Sequence, residues 1–113
     1  MSKLDQAFRD ELKDDDYDRY LYALGRKNRV RVDEVLEGSL ASEAGLRRGD
    51  VILSYGDTRL FGSIDLLLAS SQGLPGESVP VEILRNGRRQ TVYTSRGPVG
   101  AMTKADRGAP LDF

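Results

Sequence analysis

The chain has 113 residues, 39% hydrophobic and 31% charged, enough for one domain with a modest core and a well-solvated surface. Its 17 basic and 18 acidic residues leave a net charge of −1, so no overall field favours nucleic acid or anionic lipid. Cysteine and histidine are both absent, which excludes disulfides, thiol catalysis, histidine acid–base chemistry and His/Cys zinc sites within this chain.

Residues 2–13 predict a helix. Ser2 with Asp5 resembles a capping box, and Leu4, Phe8 and Leu12 recur on one face. Asp14-Asp15-Asp16 interrupts that face and reads as a fresh helix N-terminus, where the macrodipole favours carboxylates, rather than as an ion site. Tyr17, Tyr20, Leu21 and Leu24 then form a second helical stripe, closed by Gly25. Rings so placed are expected to be half-buried, with the hydroxyl in water. Residues 1–25 carry acids throughout and lack the apolar core of a leader peptide, and no apolar run approaches the length of a membrane span.

From residue 29 the pattern is mostly β. Strands are predicted near 29–36, with Val30, Val32 and Val35 apolar, and near 50–55, 78–85 and 89–95. Gly38 marks a turn, and Ser39–Ala44 a short helical turn closed by Gly45. Tyr55-Gly56-Asp57 is a further turn. Ser63 is expected to cap a helix running to Ser71, with Ile64, Leu67, Leu68 and Ser71 on one face and Leu66 and Ala69 beside it. Pro75-Gly76 separates that helix from the alternating Val79, Val81 and Ile83. Asn86-Gly87 is a hairpin signal, since both positions accept positive φ.

No catalytic residue stands out. The serines have no histidine to activate them, and Lys3, Lys13, Lys27 and Lys104 lie in polar, end or turn segments, whereas a lysine base needs burial. No cofactor or metal is predicted. Arg26, Lys27, Arg29 and Arg31, and then Arg85, Arg88 and Arg89, form basic clusters without interleaved aromatics. They read as solvated strand edges, not as a nucleic-acid surface.

The order of elements over residues 29–95, and above all Ala-Gly-Leu-x-x-Gly-Asp-Val-Ile-Leu at 44–53, resembles PDZ domains of the bacterial kind found in periplasmic proteases and secretion machinery. The resemblance implies an α+β, mainly β fold: a small bent sheet or half-open barrel capped by one long and one short helix. It divides the chain into an N-terminal helical extension (1–28), a PDZ-like domain (29–105) and a C-terminal tail (106–113), with Leu46, Val51 and Leu53 in the core. Such modules seldom stand alone, so a segment of a longer chain is expected. Its place would be the periplasm or cell envelope if that chain is exported, and the cytoplasm otherwise.

The resemblance also implies a binding role. PDZ domains hold a ligand's C-terminal carboxylate on backbone N–H groups of a loop of form x-Φ-Gly-Φ, often after a basic residue. Pro98-Val99-Gly100-Ala101 fits, preceded by Arg96 and Gly97 and followed by Met102. The physics is an anion nest in which successive donors converge on one charge. This loop follows the last strand, which calls for a circularly permuted order in which the chain runs on into a peptide-binding strand at about 100–105. An ordinary glycine-rich exit, or a carboxylate loop near Tyr22–Gly25, are the alternatives. Groove walls are expected from Ile64, Leu67, Leu68, Ser71 and Val99, suiting a hydrophobic last residue.

The implied function is non-catalytic recognition of hydrophobic C-termini or extended segments by β-strand addition. The alternative is a structural docking domain of a larger protein, its groove filled by its own or a partner's segment. The ending Pro110-Leu111-Asp112-Phe113 has the form of a PDZ ligand, so self-association through Leu111–Phe113 into a neighbouring copy is a further expectation.

Overall fold

The computed structural model describes residue 7 and residues 9–111. Residues 7 and 9–11 are helical. The expected capping pair Ser2 and Asp5, the expected apolar positions Leu4 and Phe8, and the expected ligand residue Phe113 lie outside the described residues. Three labelled helices and six strands follow: α1 (Asp14–Ala23), β1 (Arg29–Val35), α2 (Leu40–Ala44), β2 (Val51–Tyr55), β3 (Thr58–Arg59), α3 (Ser63–Ser70), β4 (Ser78–Arg85), β5 (Arg88–Ser95) and β6 (Ala101–Asp106). The sheet is antiparallel and open, in the order β5-β4-β2-β1-β6, with β3 paired to β2. This is the mainly β architecture that the PDZ resemblance implied.

Alternation builds the core. Val79, Val81 and Ile83 of β4 are at most 1% exposed, while the intervening residues face outward. They meet Val30, Val32, Ile52, Leu60 and Leu66 in one cluster. Burying each such aliphatic side chain contributes about 1.5–3 kcal/mol. In β1 the spacing Val30, Val32, Val35 breaks strict alternation, and a bulge between Val32 and Glu34 restores it. The extra residue turns Val35 back onto the core. Leu46 and Leu53 are buried as expected, and Val51 is half-buried.

The predicted turns form for the reasons read from the residues. Asn86 and Gly87 take φ of 54° and 76°, closing the β4–β5 hairpin between Arg85 and Arg88. Ser39 caps α2 by accepting from the Ser42 N–H at 3.1 Å. Asp14, Asp15 and Asp16 open α1, where Asp14 also pairs with Arg9 at 3.0 Å and Asp15 with Arg59 at 2.7 Å.

Some expectations are corrected. Leu24 lies off the buried stripe and is 55% exposed, because α1 ends at Ala23. Ser63 is the first residue of α3 rather than its cap; Gly62 holds the cap position without a side-chain bond. Arg29 is not a solvated edge residue: it is 4% exposed and ion-paired. Arg85 likewise binds Asp50 through two hydrogen bonds, of 2.9 and 2.7 Å. Donating to the Asp50 carboxylate holds its guanidinium above the ordinary pKa, against the opposing effect of burial.

The N-terminal extension is packed down. Tyr17 and Leu21 of α1 close over Phe61, with the Tyr17 and Phe61 rings edge-to-face at 5.0 Å. Beneath them Asp18, Asn28 and Arg29 form a buried polar cluster that also takes in the tail. Asn28 and Gly108 exchange two hydrogen bonds of 2.9 Å, and Arg29 donates to the Ala109 carbonyl at 2.9 Å.

Candidate functional site

Strand β6 lies at the edge of the sheet, with β1 on one side and open on the other. The Gly100 and Asp106 carbonyls accept from Leu36 and Asn28 on the β1 side, at 3.0 and 2.9 Å. Main-chain direction alternates along a strand, so the N–H and C=O groups of Ala101, Thr103 and Ala105 point to the open edge. Across that edge lies α3. Its start is tied to β6 by the Ser63 and Thr103 hydroxyls, 2.7 Å apart. Its end is tied to the segment before β6 by Arg96, which donates to the Ala69 carbonyl at 2.8 Å. Helix and strand therefore run antiparallel, and the space between them is the candidate groove.

Residues 96–100 form the loop at the head of this groove. Val99 packs on the core and its carbonyl accepts from the Ala41 N–H at 2.8 Å. Gly100 has φ of 76°, and a Cβ there would lie 2.3 Å from Ser39 Cβ, so the position needs glycine on two counts. The amides of Gly97, Val99 and Gly100 meet no acceptor among the described residues. These are three backbone donors within four residues, the raw material of an anion nest. Arg96 itself is engaged: its Nε donates to Glu77 at 2.6 Å, and its guanidinium lies 5.4 Å from the centre of the Tyr55 ring.

The remaining site residues are distributed unevenly. Leu66, Ala69 and Ser70 are the buried face of α3, which leaves Ile64, Leu67 and Leu68 exposed at 67%, 61% and 55%. Three neighbouring leucine or isoleucine side chains left in water on one short helix mark an apolar surface. The Ser71 hydroxyl is spent on the Leu67 carbonyl at 2.6 Å. Met102 alternates away from Ala101 and Thr103 and so faces the side of the sheet opposite α3. At the alternative loop, Tyr22–Gly25, Arg107 donates to the Tyr22 carbonyl at 2.7 Å and stacks 3.9 Å from its ring centre, while Ala23, Leu24 and Gly25 are exposed.

Sequence reasoning missed a half-open cavity of about 670 Å³ at the far end of the groove, bordered by α1, the segment 61–65 and Ala105. Phe61 lay in no predicted element, and only the fold carries α1 across to it. It also missed the buried acid Asp18, although its place between Tyr17 and Leu21 on an apolar stripe was a usable signal.

Comparison with known proteins bears on the family and the fold. The PDZ domain family matches residues 31–85. A Thermotoga maritima protein named as a zinc metalloprotease is 44% identical over 61 residues, 54% of this chain and 12% of that protein. A Pseudomonas putida protein named as a DegP-like periplasmic serine endoprotease is 36% identical over 85 residues, 75% of this chain and 17% of its own length. The chain therefore spans well under a fifth of these relatives. The HtrA-type protease AlgW, solved with a decapeptide, superposes with a TM-score of 0.52 at 25% identity, over 56% of this chain and 19% of that one.

Proposed function

We propose that this chain, which belongs to the PDZ domain family through residues 31–85, binds the hydrophobic C-terminus of a protein as an added strand on β6. The observation that carries the reading is the juxtaposition of an open strand edge, the unpaired amides of Gly97, Val99 and Gly100 at its head, and the exposed apolar face of α3 opposite. The ligand carboxylate accepts from the loop amides. Main-chain bonds to Ala101, Thr103 and Ala105 set the register, and Leu67 and Leu68 receive the last side chain. Arg96 serves by fixing the end of α3 to the loop, since its guanidinium is already bonded to Glu77 and Ala69. The chain acts by binding and performs no chemistry of its own.

The solved AlgW structure with its decapeptide supports peptide binding as the class of activity. The relatives named as periplasmic support an envelope location for a longer chain that carries this module. Because the match spans so little of them, a second reading is docking within such a protein, with a neighbouring segment as the added strand.

Titrating peptides that end in Val, Leu or Phe, each with a free or an amidated C-terminus, tests the proposal by backbone amide NMR. Shifts at 97–105 and 63–71 that amidation abolishes are expected. Shifts confined to residues 9–28, or none at all, would overturn it.

A further inference from the structure

The cavity beyond the groove is walled by the N-terminal extension, outside the part of the chain that matches the family. Its lining is predominantly apolar, with Tyr17, Leu21, Phe61, Ile64 and Leu68 around Ala105. Its rim is cationic: Arg9, Arg26 and Lys27 contribute, against Asp65. Asp65 is half-buried and accepts from the Phe61 N–H at 2.9 Å, so the three cations outnumber one acid. Arg9 is partly neutralised by Asp14 at 3.0 Å and lies 5.1 and 4.9 Å from the Tyr17 and Phe61 ring centres. Lys27 is exposed and makes no ion pair among the described residues.

Register decides what reaches this cavity. A peptide added antiparallel to β6, with its terminal residue opposite Ala101, places its third-last residue opposite Thr103 and its fifth-last opposite Ala105. Residues paired across a ladder share a face, so all three side chains point toward α3. The side chain at Ala105 is a single methyl, which leaves the cavity open to the residue opposite it.

We infer that this cavity is a second specificity subsite, taking a large apolar side chain at the fifth residue from the ligand's C-terminus, with an acidic residue immediately before it. The inference rests on the strand-addition reading above and deepens it. The apolar side chain fills the space between Ile64, Leu68 and Phe61. The preceding acid lies at the rim and is attracted to Lys27 and its basic neighbours, which selects acidic over basic ligands more than it adds raw affinity.

Calorimetric titration with three decapeptides that share their last four residues tests this. One carries Glu-Phe, one Glu-Ala and one Lys-Phe at the sixth- and fifth-last positions, and a tetrapeptide of the shared residues serves as reference. The Glu-Phe peptide is expected to bind about tenfold more tightly than either of the others. Lys27→Glu should erase the preference for Glu over Lys while binding the tetrapeptide as the wild type does, and Ala105→Leu should erase the preference for Phe over Ala. Equal affinity of the three decapeptides for the wild-type protein overturns the subsite and leaves strand addition standing. Failure of all four peptides to bind overturns both.

Discussion

Arg29 holds Asp18 through both carboxylate oxygens, Nη1 to Oδ1 at 2.6 Å and Nη2 to Oδ2 at 3.0 Å, with both side chains at most 5% exposed. The pair joins the middle of α1 to the first residue of β1. Asn28 adds a 2.7 Å bond to the same carboxylate, and Arg29 reaches on to the Ala109 carbonyl. One buried cluster thus clamps the N-terminal helix, the sheet and the C-terminal tail.

Asp18→Ala leaves the Arg29 guanidinium buried without its counter-charge, a loss worth about 3–5 kcal/mol for such pairs. Urea denaturation should show a fall of that size. Amide exchange at 108–109 should quicken with it, because Asn28 and Arg29 also hold those residues. A change below about 1 kcal/mol would mean that the helix is not anchored by this pair.

Gly100→Ala sets a methyl against Ser39 at a backbone angle that L residues rarely adopt. The expected cost is about 1–3 kcal/mol, since strain and displacement of the α2 cap add together. Thermal melting should show the lower midpoint. At a temperature where the variant is folded, its affinity for a free-carboxylate peptide should still be reduced, because the loop amides are displaced.

Leu67→Ser separates binding from stability. Leu67 is 61% exposed, so unfolding free energy should stay within about 0.5 kcal/mol of wild type. Peptide affinity, read by fluorescence anisotropy, should fall by about tenfold, the equivalent of about 1.4 kcal/mol.

Ile83→Ala does the reverse. Ile83 is 0% exposed at the centre of the core, and truncating it should cost about 2–5 kcal/mol in chemical denaturation. Peptide affinity under conditions where the variant is folded should be unaffected, since Ile83 does not reach the groove.

Local pattern made much of the fold legible in the residues themselves. Alternation marked β4 at Val79, Val81 and Ile83, the Asn86-Gly87 pair marked its hairpin, and Ser39 with Gly45 bracketed α2, each signal being complete within a few neighbouring residues. A strand after Gly100 was readable too, through the family resemblance, and β6 at Ala101–Asp106 lies within a residue of the range expected.

What the sequence could not decide was which surfaces meet. The apolar count on α3 did not reveal that Leu66 and Ala69 go inward while Ile64, Leu67 and Leu68 stay out, because that depends on which way the helix rolls against the sheet. Arg29 looked like any strand-edge cation until α1 brought Asp18 onto it from 11 residues away. The cavity needs Tyr17, Phe61 and Ala105 together, three residues that no local period relates. Secondary structure follows short-range sterics and hydrogen bonding, which a segment carries within itself. A groove, a buried ion pair and a cavity are formed by burial between distant segments, and only the packed chain determines them.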